Sequence, residues 1–147
     1  MVIEDKLREN AALYPDKVAL VCGEKSLTYR QLYQAIKDKA DSMGDIRGCL
    51  IPIVAYSTVD FFITYFALHL TGAVAVPLHK DIPAKKLNDY AETLEQGIVP
   101  EEVADILFTT GTTGNAKAVM ISHQTIMANA ENLVLSQGFS HDVTFII

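Results

Sequence analysis

Chemistry in this chain is concentrated in the run Thr109 to Lys117, TTGTTGNAK, which follows the apolar residues Ile106 to Phe108. Each residue type there suits a polyphosphate. Gly111 and Gly114 let the backbone take positive φ and bring N–H groups up to oxygen atoms. The hydroxyls of Thr109, Thr110, Thr112 and Thr113 can donate to phosphate or hold Mg2+, with Thr112 or Thr113 as the candidate metal ligand, and Lys117 adds a point charge. A flexible surface turn is the plain alternative, yet turns are usually built from Asn, Asp and Pro rather than from four threonines in five positions. The Walker loop, GxxxxGK followed by Ser or Thr, fits less well. Here Asn115 and Ala116 separate Gly114 from Lys117, and Ala118 follows the lysine.

Such a loop needs an element on each side to hold it. Apolar spacing predicts a helix over Ile3 to Leu13, stopped at Tyr14-Pro15, then a strand over Val18 to Cys22 that turns at Gly23-Glu24-Lys25 into Ser26-Leu27-Thr28. Thr28 and Gln31 form a capping box for a helix to about Met43, with Leu32, Ile36, Ala40 and Met43 as its buried stripe and Gly44 as its stop. A strand over Leu50 to Ala55, a helix from about Thr58 to Leu70 stopped by Gly72, and a strand over Ala73 to Val76 make a βαβ unit, which implies a parallel pair with a right-handed crossover. Pro83 opens a helix to about Glu95, and the loop Gln96 to Pro100 follows. The phosphate loop then lies between strands over Ile106 to Thr109 and Ala118 to Ile121. A helix from Ser122 to Gln137, capped by Gly138, and a strand over Val143 to Ile147 complete the chain. This alternation predicts an α/β fold with a mostly parallel sheet and flanking helices.

At 147 residues the chain is the size of one domain. A net charge of −6 argues against nucleic acid and anionic membrane as partners, since both require clustered Lys and Arg. The apolar stretch Leu50 to Pro77 is interrupted by Pro52, Asp60, His69 and Gly72, so no membrane span is predicted. Cys22 and Cys49 read as buried, reduced thiols and, with a polar N-terminus, predict a cytoplasmic protein. Phe61, Phe62, Tyr65 and Phe66 follow helical spacing and read as core, while Asp60 suits the first turn of its helix. His69, His79 and His141 share no ligand spacing, so no metal site is assigned to them. His123 opens the last helix, either hydrogen-bonded to its turn or lining the site. The last strand runs straight into the C-terminus, which predicts a chain cut from a larger domain.

The segment ILFTTGTTGNAKAVMISH, Ile106 to His123, is similar to the signature YTSGTTGxPKGVxxxH of the AMP-binding adenylate-forming superfamily, which includes acyl-CoA synthetases, luciferases and nonribosomal peptide adenylation domains. Thr110, Ala116 and Ala118 depart from it; Gly111, Thr112, Thr113, Gly114, Lys117 and His123 match. SLTYRQL at Ser26 to Leu32 and TGAVAVPL at Thr71 to Leu78 resemble two further family elements, and Asp81 to Ala104 is shorter than the family's usual connection. The resemblance implies that Thr109, Thr110, Gly111, Thr112, Thr113, Gly114 and Lys117 contact the ATP triphosphate, with Mg2+ as its companion. A small-molecule carboxylic acid would then form an acyl-adenylate and pass to a thiol, commonly coenzyme A. It further implies that residues 1–147 are a partial N-terminal AMP-binding domain, without the C-terminal part and the small lid domain, so that no catalytic residue is assignable here. Two expectations follow: a parent AMP-forming acyl-CoA ligase, or an isolated chain that is catalytically silent and serves as a nucleotide-binding or interaction module. An incomplete parallel sheet also predicts self-association.

Overall fold

A computed structural model describes residues 2–95, 99–110 and 116–139. In chain order, α1 (Ile3–Leu13) leads into the strands β1 (Val18–Cys22) and β2 (Lys25–Thr28), followed by α2 (Tyr29–Met43), β3 (Leu50–Ala55), α3 (Val59–Thr71) and β4 (Val74–His79). The second half comprises α4 (Ala84–Glu95), β5 (Val103–Thr110), β6 (Ala116–Ser122) and α5 (His123–Gln137). Side-chain hydroxyls start three of the helices: Thr28, Thr58 and Ser122 accept from the backbone N–H groups of Gln31, Phe61 and Thr125, occupying donors that a helix start leaves without partners. Gly72 ends α3 at φ 77°, a left-handed conformation that favours glycine, and a Cβ there would stand 3.3 Å from Arg47 Cγ.

β1 and β2 form a separate antiparallel hairpin, and the main sheet has the order β3-β4-β5-β6. β3 and β4 are parallel, from Leu50↔Val74 to Ala55↔His79, and β4 and β5 are also parallel, with Ala75 opposite Asp105. β5 turns back on itself as the antiparallel pair β5–β6, which runs from Val103↔Ser122 to Thr110↔Ala116. β4 lies inside the sheet, and its alternation divides the core. Val74, Val76 and Leu78 pack with Tyr90 of α4 and Ile106, whereas Ala75 packs with Leu68 of α3. A third cluster joins Leu32, Ile36 and Ala40 of α2 to Ala67 of α3 and Leu20 of β1.

The fold matches the expected α/β class, with corrections to strand bounds and to cysteine burial. β5 begins at Val103 rather than Ile106, because Asp105 interrupts the apolar run yet is buried in the strand. Thr110, Ala116 and Lys117 belong to the hairpin ladder rather than to the loop, Thr109 lies in β5 as expected, and β4 runs on to His79. Cys22 is half-buried, with its thiol donating to the Ser57 carbonyl at 2.9 Å, and Cys49 is exposed, so neither is a buried core thiol. Phe61, Phe62, Tyr65 and Phe66 are half-buried, with Phe62, Tyr65 and Phe66 packed against the core clusters as expected. The expected strand over residues 143–147 lies outside the described residues. No helix among the described residues is long and apolar enough to cross a membrane.

Candidate functional site

The β5–β6 hairpin delivers the Thr/Gly run. Thr110 and Ala116 are its last paired residues, so residues 111–115 are the connection at its tip; Gly111, Thr112, Thr113 and Gly114 fall there, outside the described residues. Thr109 faces Lys117 across the ladder, and its hydroxyl donates to the Lys117 carbonyl at 3.5 Å. That fixes the Lys117 backbone one pair from the tip while its side chain stays exposed. A lysine whose backbone is held in the ladder can bring a cation to a phosphate near the end of the hairpin.

Next to the hairpin, at the carboxyl ends of the parallel strands, lies a cleft of about 350 Å³ lined by Pro77, His79, Asp81, Lys86, Tyr90 and Phe108, among others. This is where open α/β sheets bind ligands. Tyr90 and Phe108 stack with ring centroids 3.7 Å apart and planes 1° apart, giving the cleft a rigid apolar wall immediately before Thr109. Lys86 contributes a cation there. It stands in the first turn of α4, a position that carries no sequence signal until the cleft beside it is formed.

The other end of the hairpin holds a different constellation. Asp105 is roughly 17 Å of strand from Thr110, at about 3.4 Å per residue. It meets His69 of α3, whose Nε2–H donates to Asp105 Oδ1 at 2.9 Å while Nδ1–H donates to Glu4 Oε1 at 3.0 Å. One turn earlier in α3, the Tyr65 hydroxyl donates to Asp105 Oδ2 at 2.7 Å. Glu4, His69 and Asp105 are all buried. Burial works against a charged His69, but its hydrogen bonds to Asp105 and Glu4 outweigh that and raise its pKa to about 9. Burial, then the bond to Asp105, pushes the Tyr65 phenol up. Burial, reinforced by the neighbouring His69 charge, pushes His123 down.

His123 therefore sits beside this cluster rather than beside the loop. Its ring centroid is 5.1 Å from that of His69, at 80°. Its backbone N–H donates to the Glu102 carbonyl at 3.2 Å, while its Nδ1 is buried without a hydrogen-bond partner. Although the histidines share no ligand spacing, donor atoms of Glu4, His69 and His123 lie within 4.8 Å of one another. No local pattern could have found this, because Glu4 and His69 are 65 residues apart and His69 and Asp105 are 36 apart. His79 is exposed and accepts from the Asp81 N–H; His141 lies outside the described residues.

The model of the AMP-binding enzyme family matches residues 7–96 and 88–147, nearly the whole chain. The chain belongs to the AMP-binding enzyme family. The two stretches of that match meet at residues 88–96, inside the Asp81 to Ala104 segment that reads as shortened. Members of this adenylate-forming family use ATP with Mg2+. Tyrocidine synthase 3 of Brevibacillus parabrevis is 26% identical over 162 residues, covering 83% of this chain and 2% of the relative. The 2-succinylbenzoate–CoA ligase of Bacillus cereus is 25% identical over 173 residues, covering 92% of this chain and 36% of the ligase. The N-terminal subdomain of Klebsiella oxytoca NpsA, solved in complex with 3-hydroxyanthranilyl-AMSN, has a TM-score of 0.74 at 23% identity, over 84% of this chain and 41% of that one. At that identity the likeness speaks for the fold. The chain thus spans about a third or less of the length of these two sequence relatives.

Proposed function

We propose that this chain provides the triphosphate grip of an ATP-dependent carboxylate-activating ligase. In the reaction, a carboxylate oxygen of a small-molecule acid attacks the α-phosphorus of MgATP, and the bond to the bridging oxygen breaks to release pyrophosphate and leave an acyl-adenylate. Thr109, Thr110, Gly111, Thr112, Thr113, Gly114 and Lys117 hold the β and γ phosphates, with Thr112 or Thr113 toward Mg2+. Their role is to stabilise the charge gathering on pyrophosphate, through donors positioned in advance rather than through proton transfer. The observation that carries this reading is the position of the Thr/Gly connection at the tip of β5–β6, beside a cleft at the carboxyl ends of β4 and β5. The acyl group then passes to a thiol, with coenzyme A the favoured acceptor and a carrier-protein thiol the alternative that the synthase relatives suggest.

A second reading, a nucleotide-binding module without turnover, is favoured by the departures at Thr110, Ala116 and Ala118 from the family signature. Equilibrium binding of MgATP together with acid-dependent exchange of pyrophosphate into ATP separates the two. Binding with exchange overturns the silent module, binding alone leaves the grip in place without turnover by this chain, and no binding overturns both. Two unpaired thiols, Cys22 and Cys49, fit a reducing compartment such as the cytoplasm. Exposed apolar residues on α5 and β6 favour self-association of the chain.

A further inference from the structure

The cluster at the far end of the hairpin has more structure than a buried ion pair needs. Asp105 accepts from His69 Nε2–H and is itself held by the Tyr65 hydroxyl, so the imidazole is fixed in orientation with Nδ1 directed away from Asp105. A carboxylate behind one ring nitrogen, leaving the other free to ligate, is the usual outer shell of a metal-bound histidine. On the Nδ1 side stands Glu4, with a side chain only 2% exposed. Glu4 Oε2 and His123 Nδ1 are both buried and both lack a hydrogen-bond partner, a costly state for two polar atoms in one small volume. Among these described residues, two carboxylates also share the one positive charge of His69. A divalent ion would satisfy His123 Nδ1 and, held by the Glu4 carboxylate, neutralise the cluster.

We propose that Glu4, His69 and His123 bind a divalent transition-metal ion of the zinc class, with Asp105 orienting His69 and a fourth position left for water. Two imidazoles and one carboxylate suit zinc, cobalt or nickel and are a poor set for magnesium or calcium, which prefer oxygen. The ion takes the place of the proton between His69 Nδ1 and Glu4 Oε1, which leaves to solvent. Bonds of about 2.0–2.1 Å place tetrahedral donors about 3.3 Å apart. The His69–Glu4 pair is already at 3.0 Å, and the donors span at most 4.8 Å, so His123 makes the main adjustment. The ion would tie α1 to α3 and to the start of α5, distant parts of the chain.

The test is a Co2+ titration of the tag-free chain, followed by visible absorption. The expected result is one equivalent bound with the intense ligand-field band of a four- or five-coordinate ion, no thiolate charge-transfer band, and displacement by one equivalent of Zn2+. His123→Asn, a change at the least buried ligand, lowers Zn2+ affinity at least tenfold, whereas His79→Asn at an exposed histidine leaves it unchanged. A weak octahedral spectrum overturns the proposal, as does a thiolate band or an affinity that responds to His79→Asn and not to His123→Asn. The wild-type spectrum decides even if a variant fails to fold.

Discussion

Lys117 stands on β6 one pair from the end of the hairpin ladder and Lys86 lines the cleft from α4, and both are exposed. A hydrogen bond to a charged partner contributes about 1.5–3 kcal/mol, less where solvent screens it. Lys117→Ala and Lys86→Ala should therefore each weaken MgATP binding roughly tenfold, while Lys37→Ala on the outer face of α2 leaves it unchanged; calorimetric titration reads all three. If Lys86→Ala is silent, the cleft is not part of the phosphate site. In the buried cluster, contributions should separate by charge. Tyr65→Phe removes one hydrogen bond to Asp105 and should cost about 2 kcal/mol. His69→Leu leaves two buried carboxylates without their cation and should cost about 4 kcal/mol in the metal-free chain. Urea unfolding measures both, and equal costs would mean that His69 is neutral in the folded chain.

Elements were legible where the cause is local. The Thr28–Gln31 box can be read from spacing alone, and both of its bonds form: Gln31 N–H to Thr28 Oγ1 at 3.3 Å and Thr28 N–H to Gln31 Oε1 at 2.9 Å. Thr28→Ala should lower stability by about 1 kcal/mol, and a thermal melt with an unchanged midpoint would show that α2 is held by packing alone. The βαβ crossover is likewise legible, because Gly72 and the switch of apolar period mark its corners. What was not legible depends on partners remote in sequence. Asp105 breaks the apolar pattern of β5, and only Tyr65 and His69, 40 and 36 residues away, make its burial tolerable. Asp105 therefore looked like a residue outside the strand. The loop was legible as chemistry from its composition, whereas Lys86 was hidden because a lysine in a helix's first turn carries no signal without the cleft beside it.

At the scale of the molecule, apolar surface is distributed unevenly. Leu135 is 79% exposed, Leu133 53% and Val134 48%, while Met127 is the buried residue of α5, so that helix presents apolar side chains to solvent along its last turns. Val119 and Met120 on β6 add to this, and β6 has a strand neighbour on one side only among the described residues. β3 is the opposite edge, but it carries Pro52, which lacks an N–H to donate and blunts pairing there. Self-association should therefore run through α5 and β6 rather than through β3. Light scattering should show apparent mass rising with concentration, and the double change Leu133→Lys with Leu135→Lys should return it toward the monomer value. Val54→Lys on β3 should leave the rise intact. If the β3 change dissociates the assembly and the α5 changes do not, contact is made at the parallel edge, and Pro52 is a weaker barrier than its missing donor implies.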